Sequence, residues 1–453
     1  MENVTLDDIK RWTDARVVGN LQGHVAVQGV SSDTRTLAPG ELFVAVSGAN
    51  FDGRDYVEAA FEKGACAALV EGPSESGGGP LLSVPSAVRA LGDIARAYRR
   101  RFAIPVVAVV GSAGKTTTKE MLAAVLESRY RVLKTPANHN NEIGVPSALL
   151  RLNADHEAAV FELGARQVGD IAYLCSVVQP DIGVLLNIGT AHLEVFGTVE
   201  RVAKAKGELL DYLDGESSVA LVNADDCVIA GETMRTKGRL LGFSLRQESH
   251  FCGEGLTLDQ EGCGHFSLQH ISFDLKVPGR HNVYNALAAI AAGAQLGVPP
   301  AEAAIVLRDF EPVDSRSEIL RKNGICVIND SYNANPEAMV AALELLAGRA
   351  ADGRRIAVIG DMLELGDSAP RLHAEVGERA AALGLDALWA TGPQAEHAVR
   401  AASERGLADT RHFSERDALA AHAASAVRPG DTVLLKASRG IGLEAVVEPL
   451  LGG

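Results

Sequence analysis

The sequence predicts an α/β protein of three domains: a small N-terminal α/β domain, a central domain with a mostly parallel sheet, and a C-terminal Rossmann-like domain. Its 453 residues suffice for three domains of about 150 residues each. Hydrophobic residues make up 47% of the chain and charged residues 22%, as in compact globular proteins. Short apolar runs alternate with helical stretches throughout, and this alternation indicates parallel strands covered by helices.

The first domain is expected to span residues 1–98. Its strand-like runs are Leu42 to Val46, Ala67 to Val70 and Leu81 to Val84. One helical stretch lies between the first two, at Tyr56 to Lys63. The Gly/Ser/Pro-rich stretch 72–80 lies between two of these strands, so it is predicted to be a surface loop. A basic run at residues 98–101 marks the end of the domain.

The central domain is expected to span residues 99–313. Ile104 to Val110 is predicted to be a buried strand, and the next helix has an apolar stripe at Met121, Leu122, Val125 and Leu126. Further strands are predicted at Ala158 to Leu163, Ile182 to Leu186 and Val219 to Val222. The Gly-rich, polar stretch 246–278 indicates an appended β-hairpin, and Asn282 to Leu296 is predicted to be helical.

The C-terminal domain, residues 314–453, repeats the α/β alternation. Its predicted strands, separated by Ala/Leu-rich helices, are Ile325 to Asn329, Arg355 to Ile359, Ala387 to Ala390 and Thr432 to Leu435. No Gly-x-Gly-x-x-Gly pattern follows the first of these strands. A bound dinucleotide is therefore not expected in this domain.

The composition excludes several classes of protein. Lys and Arg total 43 against 58 Asp and Glu, so the net charge is −15, whereas binding to nucleic acid or an anionic membrane requires clustered Lys and Arg. No apolar window is long enough to span a bilayer, and the acidic N-terminus does not resemble a signal peptide. Six scattered cysteines without a CxxC pair favour reduced thiols in a cytoplasmic protein.

The strongest local motif is a glycine-rich turn between the strand ending at Val110 and the following helix. Backbone N–H groups of such a loop, with the positive helix end, bind phosphate oxygens, and this indicates a P-loop ATPase domain. Val109 stands where the general motif has glycine, and a turn of purely structural role is the alternative. The residues predicted to bind ATP are Gly111, Ser112, Ala113, Gly114, Lys115, Thr116 and Thr117. Among them, Lys115 is expected to contact the phosphates and the Thr116 hydroxyl to bind magnesium.

Two further polar residues follow the ends of predicted strands. Glu162 ends one strand, and Asn187 ends the next and leads into His192. Ligands of open α/β sheets bind outside the carboxyl ends of the strands, and a carboxylate and an imidazole there suit magnesium ions that bridge a transferring phosphate. Taken singly, Glu162 could be a capping carboxylate and His192 a loop histidine bonded to the backbone.

Several longer motifs follow one another along the chain. They are GSAGKTT after Val109, NHNNEIGVP at 138–146, ELGAR with Glu162, NIGTAHLEVFG, AKGE with Lys206, NADD at 223–226, GRHNVYNALAA from Gly279, NDSYNANP at 329–336 and LLKASRG near the C-terminus. In type and order these motifs resemble the ATP-dependent Mur ligases of peptidoglycan synthesis, and the match covers essentially the whole chain.

Three stretches resemble the branch of this family that joins D-alanyl-D-alanine to UDP-N-acetylmuramoyl-tripeptide: residues 31–60, SYNANP at 331–336 and GDMLELG at 360–366. The resemblance implies an ATP-dependent amide-bond ligase that forms an acyl phosphate and yields ADP, phosphate and the UDP-linked pentapeptide. It implies a cytoplasmic, monomeric enzyme of cell-wall biogenesis, cell shape and cell division. It also implies that the third domain closes over the second, because the acyl phosphate must be shielded from water.

The resemblance assigns catalytic roles to Lys115, Glu162, His192 and Lys206. It assigns magnesium to Thr116, Glu162, His192 and Lys206, the last as a carbamate formed with CO₂. The spacing of Lys206 from His192 matches the family, and a carbamate would replace the lysine's positive charge with a carboxylate-like group. By residue type alone, Lys206 would be a solvated helix lysine.

The resemblance also implies binding residues in each domain. The first domain would bind the UDP-sugar peptide, the second ATP and the third the dipeptide. The implied UDP-sugar segment, which could equally be an ordinary turn, is Ser31, Ser32, Asp33, Thr34 and Arg35. The implied further ATP contacts are Asn282, Arg316 and Asp330, although Ser315 stands where the family often has glycine. The implied dipeptide residues, which offer partners for an amine and a carboxylate, are Asn333, Asn335, Asp361 and Glu364.

Other activities remain open at this point. A kinase or simple NTPase would share the phosphate loop and would turn over ATP without an amine. A nucleotide-sensing module without catalysis would have no need of Lys115, Glu162, His192 and Lys206. Another Mur ligase would accept a single amino acid in place of the dipeptide.

Overall fold

The computed structural model describes residues 1–48, 51–73, 78–312, 315–350 and 352–452. These residues form two compact units. Unit 1 comprises Met1–Ala108, Arg129–Ala165 and Gly169–Gly183, and unit 2 comprises Val109–Ser128, Arg166–Val168 and Val184–Gly453. The predicted boundary between residues 313 and 314, and residues 74–77 of the predicted surface loop, lie outside the described residues.

The strands and helices are labelled in chain order. The strands are β1 Arg16–Val18, β2 Val30–Ser31, β3 Leu42–Val44, β4 Ala67–Glu71, β5 Leu81–Val84, β6 Val106–Val110, β7 Val132–Lys134, β8 Ala158–Glu162, β9 Ile182–Leu185, β10 Val219–Asn223, β11 Arg239–Ser244, β12 Phe251–Cys252, β13 Glu254–Leu258, β14 Cys263–Leu268, β15 Ile271–Pro278, β16 Glu318–Lys322, β17 Ile325–Asn329, β18 Arg355–Gly360, β19 Ala387–Thr391, β20 Asp409–Phe413 and β21 Thr432–Lys436. The α-helices are α1 Leu6–Thr13, α2 Val57–Glu62, α3 Ala87–Arg99, α4 Lys115–Glu127, α5 Gly144–Leu149, α6 Asp170–Val178, α7 Leu193–Phe196, α8 Val199–Tyr212, α9 Cys227–Glu232, α10 Arg280–Gln295, α11 Pro300–Arg308, α12 Pro336–Gly348, α13 Ala369–Ala382, α14 Ala395–Glu404, α15 Arg416–Ala426 and α16 Val447–Leu451.

Unit 1 contains a five-stranded sheet with the order β1-β5-β4-β3-β2. Strands β2 to β5 pair in parallel, whereas β1 runs antiparallel to β5. Phe43 and Val70 of the sheet pack with Ala60 of α2 in a buried core. The predicted strands of this region are confirmed; β1 and β2 were not predicted, because two or three residues carry too little alternation to be recognised.

A seven-stranded sheet has the order β12-β11-β10-β9-β6-β8-β7, and β6 and β9 contribute residues to both units. All five residues of β6 are buried, as expected for a strand of a parallel sheet with both faces covered. The pairs β7–β8, β10–β11 and β11–β12 are parallel. The mostly parallel sheet predicted for this region is therefore confirmed.

Residues 254–278 differ from the predicted hairpin. They form a three-stranded antiparallel sheet, β13-β14-β15, in which Phe266 and Phe273 stack with ring centroids 5.0 Å apart. Buried and exposed residues alternate along β15, as in a strand with one covered face. The third strand, β13, has no buried residue, so its sequence lacks the apolar alternation that predicts a strand.

The C-terminal part of unit 2 has a six-stranded sheet with the order β16-β17-β21-β18-β19-β20. All of its pairs are parallel except β16–β17. Its core includes the fully buried Trp389, Val358 and Leu435. The carboxyl ends of β17, β21 and β18 are neighbours at one edge of the sheet, which is where such sheets bind ligands.

Two expectations about the whole chain concern membranes and thiols. No α-helix among the described residues has the length and apolarity needed to cross a bilayer. The six cysteines are free thiols, as their scattered positions predicted.

A buried histidine supports the segment after β18. His373 is 0% exposed; its Nε2 accepts a hydrogen bond from Met362 N at 2.9 Å, and its Nδ1 lies 2.7 Å from the Ala369 oxygen. These partners assign the neutral tautomer with the proton on Nδ1. Burial lowers the pKa of His373, because the charged imidazole would lose its hydration.

We expect the stability of unit 2 to depend on this imidazole. Because the folded-state pKa is lowered, its contribution is present above about pH 6.5 and is lost as the pH falls. His373→Ala should lower the free energy of unfolding by about 1–3 kcal/mol at neutral pH, since Met362 N loses its acceptor, and should weaken the loss of stability between pH 7.5 and 5.5. Urea titrations followed by tryptophan fluorescence test this, with His24→Ala at an exposed position of unit 1 as control; an unchanged pH dependence would contradict it.

Candidate active site

The phosphate loop joins β6 to α4 in unit 2. Gly114 precedes α4 with φ +81°, in the left-handed region that favours glycine. A Cβ at this position would also lie 2.4 Å from the Asn285 amide oxygen. The N-terminal end of a helix points its first N–H groups outward and carries partial positive charge, so this end of α4 suits a phosphate.

Asn187, which follows β9, holds the loop in place. Its Oδ1 accepts hydrogen bonds from Ser112 N at 2.9 Å and Ala113 N at 2.8 Å, and its Nδ2 donates to the Ala113 oxygen at 3.0 Å. Gly189 N also donates to Ser112 Oγ at 2.8 Å. The sequence located Asn187 at the end of a strand but gave no sign of this bracing, because the contact joins segments about 75 residues apart.

Two lysines converge on one carbonyl of the loop. Lys115 Nζ and Lys206 Nζ donate to the Gly111 oxygen at 2.9 and 3.2 Å. Lys206 lies on α8 and is only 2% exposed, so it is not the solvated helix lysine that its residue type would suggest. Burial, reinforced by the charge of Lys115 and opposed by Glu337, lowers the pKa of Lys206 to about 7. A substantial fraction of its amine is therefore neutral at pH 7.

His192 meets a carboxylate from the C-terminal part of the same unit. Its Nδ1 bonds to Glu364 Oε2, and both residues have left-handed backbones, with φ of +60° and +62°. Burial lowers the pKa of His192; the Glu364 carboxylate opposes this shift, and the positive charges of Lys115 and Lys206 reinforce it. The structure therefore brings together the predicted residues Lys115, Lys206 and His192.

Asn335 of the SYNANP segment and Glu337, the residue after that segment, contact the phosphate loop and Thr190. Asn335 Nδ2 donates to the Ser112 oxygen at 3.3 Å, while its Oδ1 caps α12 by accepting from Ala338 N. Glu337, in the first turn of α12, accepts from both Thr190 N and Thr190 Oγ1, at 2.7 and 2.8 Å. Sequence reasoning did not single out Glu337, because nothing in its local pattern distinguishes it from any first-turn glutamate.

The predicted adenine contact Asn282 lies on α10. Its Nδ2 donates to the Pro278 oxygen at 2.7 Å, and its Oδ1 accepts from Asn285 at 2.9 Å. Asn285 in turn accepts from Thr118 Oγ1 at 3.2 Å, so the two asparagines tie α10 to α4. The adenine role of Asn282 stays a prediction.

Arg316 and Asp330 lie near each other at the carboxyl edge of the six-stranded sheet. Asp330 pairs with Lys436 and accepts from Ser317 N at 3.0 Å, while the Arg316 guanidinium lies 3.9 Å from the Tyr332 ring centroid. Ser315 has a φ of +52°. Glycine adopts this conformation more readily than serine does.

The other predicted dipeptide residues already have partners within the protein. Asp361 Oδ1 accepts from Gln394 N and Ala395 N, at 3.0 and 2.7 Å, and so caps the start of α14. Asn333 Oδ1 lies 3.4 Å from Arg439 N. Contacts of these residues with a dipeptide stay predictions.

Unit 1 contains the predicted residue Glu162 at the end of β8. Its carboxylate accepts a hydrogen bond from Asn140 at 2.7 Å, and its N–H donates to Thr135 Oγ1 at 3.0 Å. Glu162 is 2% exposed, so it is a buried, hydrogen-bonded carboxylate. Sequence reasoning assigned no role to Asn140, although it lies within a motif that was noted.

Unit 1 also contains the predicted UDP-sugar segment, Ser31 to Arg35. Ser31 Oγ donates to the Asp33 oxygen at 3.0 Å, and Arg35 binds the Asp33 carboxylate through its backbone and guanidinium. Hydrogen bonds from Arg35 lower the pKa of Asp33. Lys63 donates to the Thr34 oxygen at 2.7 Å. The segment is thus a hydrogen-bonded polar turn, and its ligand stays a prediction.

The fold and the phosphate loop together define a phosphate-binding α/β protein, and family comparison identifies its class. Three family descriptions match the chain: "Mur ligase family, catalytic domain" over residues 26–136, "Mur ligase middle domain" over 109–293, and "Mur ligase, glutamate ligase domain" over 315–439. The chain belongs to the Mur ligase family. The domain boundaries given above stay predictions.

Full-length relatives refine this assignment. The chain is 36% identical to the UDP-N-acetylmuramoyl-tripeptide--D-alanyl-D-alanine ligase of Synechocystis, over 99% of this chain and 98% of that one, and 37% identical to the Escherichia coli ligase of the same name, over 95% and 96%. The MurF crystal structure from Acinetobacter baumannii superimposes with a TM-score of 0.91 at 30% identity, over 99% and 98% of the chains. The MurF ligase of Thermotoga maritima, solved in complex with ADP, gives 0.83 at 31%, over 94% and 97%. These matches confirm the three-domain α/β class.

We expect Asn187 to control nucleotide affinity. Asn187→Ala removes the acceptor of two loop N–H groups, and such a loss costs roughly 1–3 kcal/mol. The affinity for ADP, measured by isothermal titration calorimetry, should therefore fall about ten-fold or more. Asn153→Ala, in a turn of unit 1, serves as the control; an ADP affinity for Asn187→Ala within two-fold of that control would show that the brace is dispensable.

Proposed function

We propose that this protein is the ATP-dependent ligase that joins D-alanyl-D-alanine to UDP-N-acetylmuramoyl-tripeptide. The observation that carries the proposal is the braced phosphate loop, with Lys115 and the buried Lys206 on the Gly111 oxygen, in a chain similar over its whole length to ligases of this name. The products are ADP, phosphate and the UDP-linked pentapeptide, a precursor of peptidoglycan.

The reaction proceeds in two steps. The terminal carboxylate of the tripeptide attacks the γ-phosphorus of ATP, and the bond to the β,γ-bridging oxygen breaks, giving an acyl phosphate and ADP. The amine of the dipeptide then attacks the acyl carbon, and phosphate leaves as the amide bond forms and the amine loses a proton. Lys115 and the start of α4 stabilise charge on the phosphoryl oxygens. No protein nucleophile is needed.

Magnesium and a carbamate on Lys206 belong to this proposal. Among the described residues, no group of three or more His, Cys, Asp or Glu side chains is placed to hold a metal ion. Magnesium at nucleotide sites usually takes only one or two carboxylates and otherwise binds phosphate oxygens and water, and the Thr116 hydroxyl, the Glu162 carboxylate and a Lys206 carbamate offer oxygen donors of this kind. Thr116, Glu162, His192 and carbamylated Lys206 would hold the ion, which when bound neutralises phosphate charge.

The remaining roles are proposed for each part of the chain. Residues 1–98 would bind the UDP-sugar peptide, residues 99–313 ATP, and residues 314–453 the dipeptide. Ser31 to Arg35 supply the polar turn for the first of these roles. Asn282, Arg316 and Asp330 would complete the ATP site, and Asn333, Asn335, Asp361 and Glu364 would serve the dipeptide. We propose a monomeric, cytoplasmic enzyme, and light scattering of the purified protein tests the monomer.

The substrate assignment predicts a specific amine requirement. With ATP, magnesium and UDP-N-acetylmuramoyl-tripeptide, phosphate release should require D-alanyl-D-alanine and should yield a pentapeptide product by mass spectrometry. Lys115→Ala should lower this rate by about 100-fold or more, because phosphoryl charge is left unneutralised. Release that needs only a single amino acid would indicate another Mur ligase, and release that needs no amine would indicate an NTPase or kinase.

Carbamylation predicts a chemical rescue. Lys206→Ala should lose activity about 100-fold and regain part of it with added short carboxylates, which replace the missing charge. Lys204→Ala, two positions away on the exposed side of α8, should behave like the wild type. A carbamate signal at Lys206 by ¹³C NMR with labelled bicarbonate would support the modification, whereas full activity of Lys206→Ala without additive would contradict it.

A further inference from the structure

We propose that Glu337 and Glu364 position His192 by clamping the loop that carries it, Gly189–Glu194, here called the His192 loop. This inference rests on the proposed function. The two carboxylates lie 147 and 172 residues away from their partners Thr190 and His192 in sequence. They belong to the segment predicted to bind the dipeptide, while the His192 loop adjoins the phosphate loop.

The first contact of the clamp is made by Glu337. A single carboxylate oxygen accepts from both the backbone N–H and the hydroxyl of Thr190, at 2.7 and 2.8 Å. The approach is so close that a Cβ at Gly189 would lie 2.5 Å from the Glu337 carboxyl carbon. A side chain at Gly189 would therefore push the Glu337 carboxylate away from its present place.

The second contact of the clamp is made by Glu364. Its carboxylate binds His192 Nδ1, and its backbone oxygen accepts from Glu194 N at 3.0 Å. Because Nδ1 is engaged, Nε2 is the ring nitrogen left to face a ligand. Histidines that bind metals or phosphates are commonly oriented by a carboxylate on the other ring nitrogen.

The conformation of the two partners argues against a purely stabilising contact. His192 and Glu364 both adopt left-handed backbones although neither is glycine, and such conformations persist only where the surrounding structure enforces them. Their side chains are 32% and 48% exposed, and partly exposed polar contacts of this kind contribute little to stability. Strain that stability does not explain is common at functional sites.

The clamp links two parts of the reaction. When the C-terminal segment rests on the His192 loop, Glu337 sets the loop backbone and Glu364 sets the imidazole. Phosphoryl transfer then takes place with the dipeptide-binding segment already in place. The acyl phosphate is therefore formed where the amine can reach it before water does.

Hydrogen–deuterium exchange on the full chain tests the Glu337 contact without any substrate. Glu337→Ala leaves Thr190 N without its acceptor, so a peptide covering residues 186–197 should gain about one fast-exchanging amide. Glu337→Gln, which keeps an acceptor oxygen, should restore the protection. The control is Glu344→Ala on the same helix, where Glu344 pairs with Arg379 on the surface. Equal exchange in Glu337→Ala and Glu344→Ala would overturn the proposal.

Steady-state kinetics test the Glu364 contact. Glu364→Ala should lower kcat by about 10- to 100-fold, the usual cost of losing an orienting carboxylate. The KM for ATP should stay within about two-fold, because the phosphate loop keeps its own contacts. Glu375→Ala, whose carboxylate pairs with Arg371 on the same segment, is the control.

Each outcome of the kinetic test has one meaning. A kcat for Glu364→Ala equal to that of Glu375→Ala would overturn the clamp. A rise in the KM for the dipeptide with kcat unchanged would also overturn the clamp and would leave Glu364 with only the dipeptide role proposed above. Absence of pentapeptide product from the wild type would instead refute the proposed function, and the exchange experiment would still report on Glu337.

Discussion

The phosphate loop and the start of α4 depend on the hydrogen bonds made by the side-chain amide of Asn187. It holds Ser112 and Ala113 by three hydrogen bonds from a neighbouring strand end, and so sets where the loop stops and α4 begins. A loop of this composition has many accessible conformations, and fixing it costs conformational entropy that these bonds must offset. The positions of Lys115 and of the first N–H groups of α4 follow from it.

The second constraint is electrostatic. Placing Lys115 and Lys206 on one carbonyl in a buried region is unfavourable unless one of the charges is reduced or an anion is close. The lowered pKa of Lys206 reduces the positive charge on its amine. A bound phosphate or a carbamate on Lys206 would relieve the same repulsion between the two lysines. A site that is unfavourable when empty and favourable with its ligand binds that ligand selectively.

Four of the non-glycine residues with positive φ lie at or beside the proposed site. His192, Glu364, Ser315 and Ser317 are non-glycine residues with positive φ, and each lies beside a proposed nucleotide or clamp contact. Asp361, by contrast, has an ordinary structural task at the start of α14, although the same motif placed it with the dipeptide residues.

The amino-acid sequence by itself determined the local elements: strands β6, β17 and β18, helix α4 and the glycine-rich turn before it. Their apolar periodicity and turn residues are encoded within about ten to fifteen neighbouring positions. It also contained the family motifs that name Lys115, Glu162, His192 and Lys206. The tertiary structure alone decided that Asn187 braces the loop, that β13 joins a three-stranded sheet, and that Glu337 and Glu364 reach the His192 loop. Those contacts join residues far apart in sequence, and only the path of the folded chain brings them within hydrogen-bonding distance.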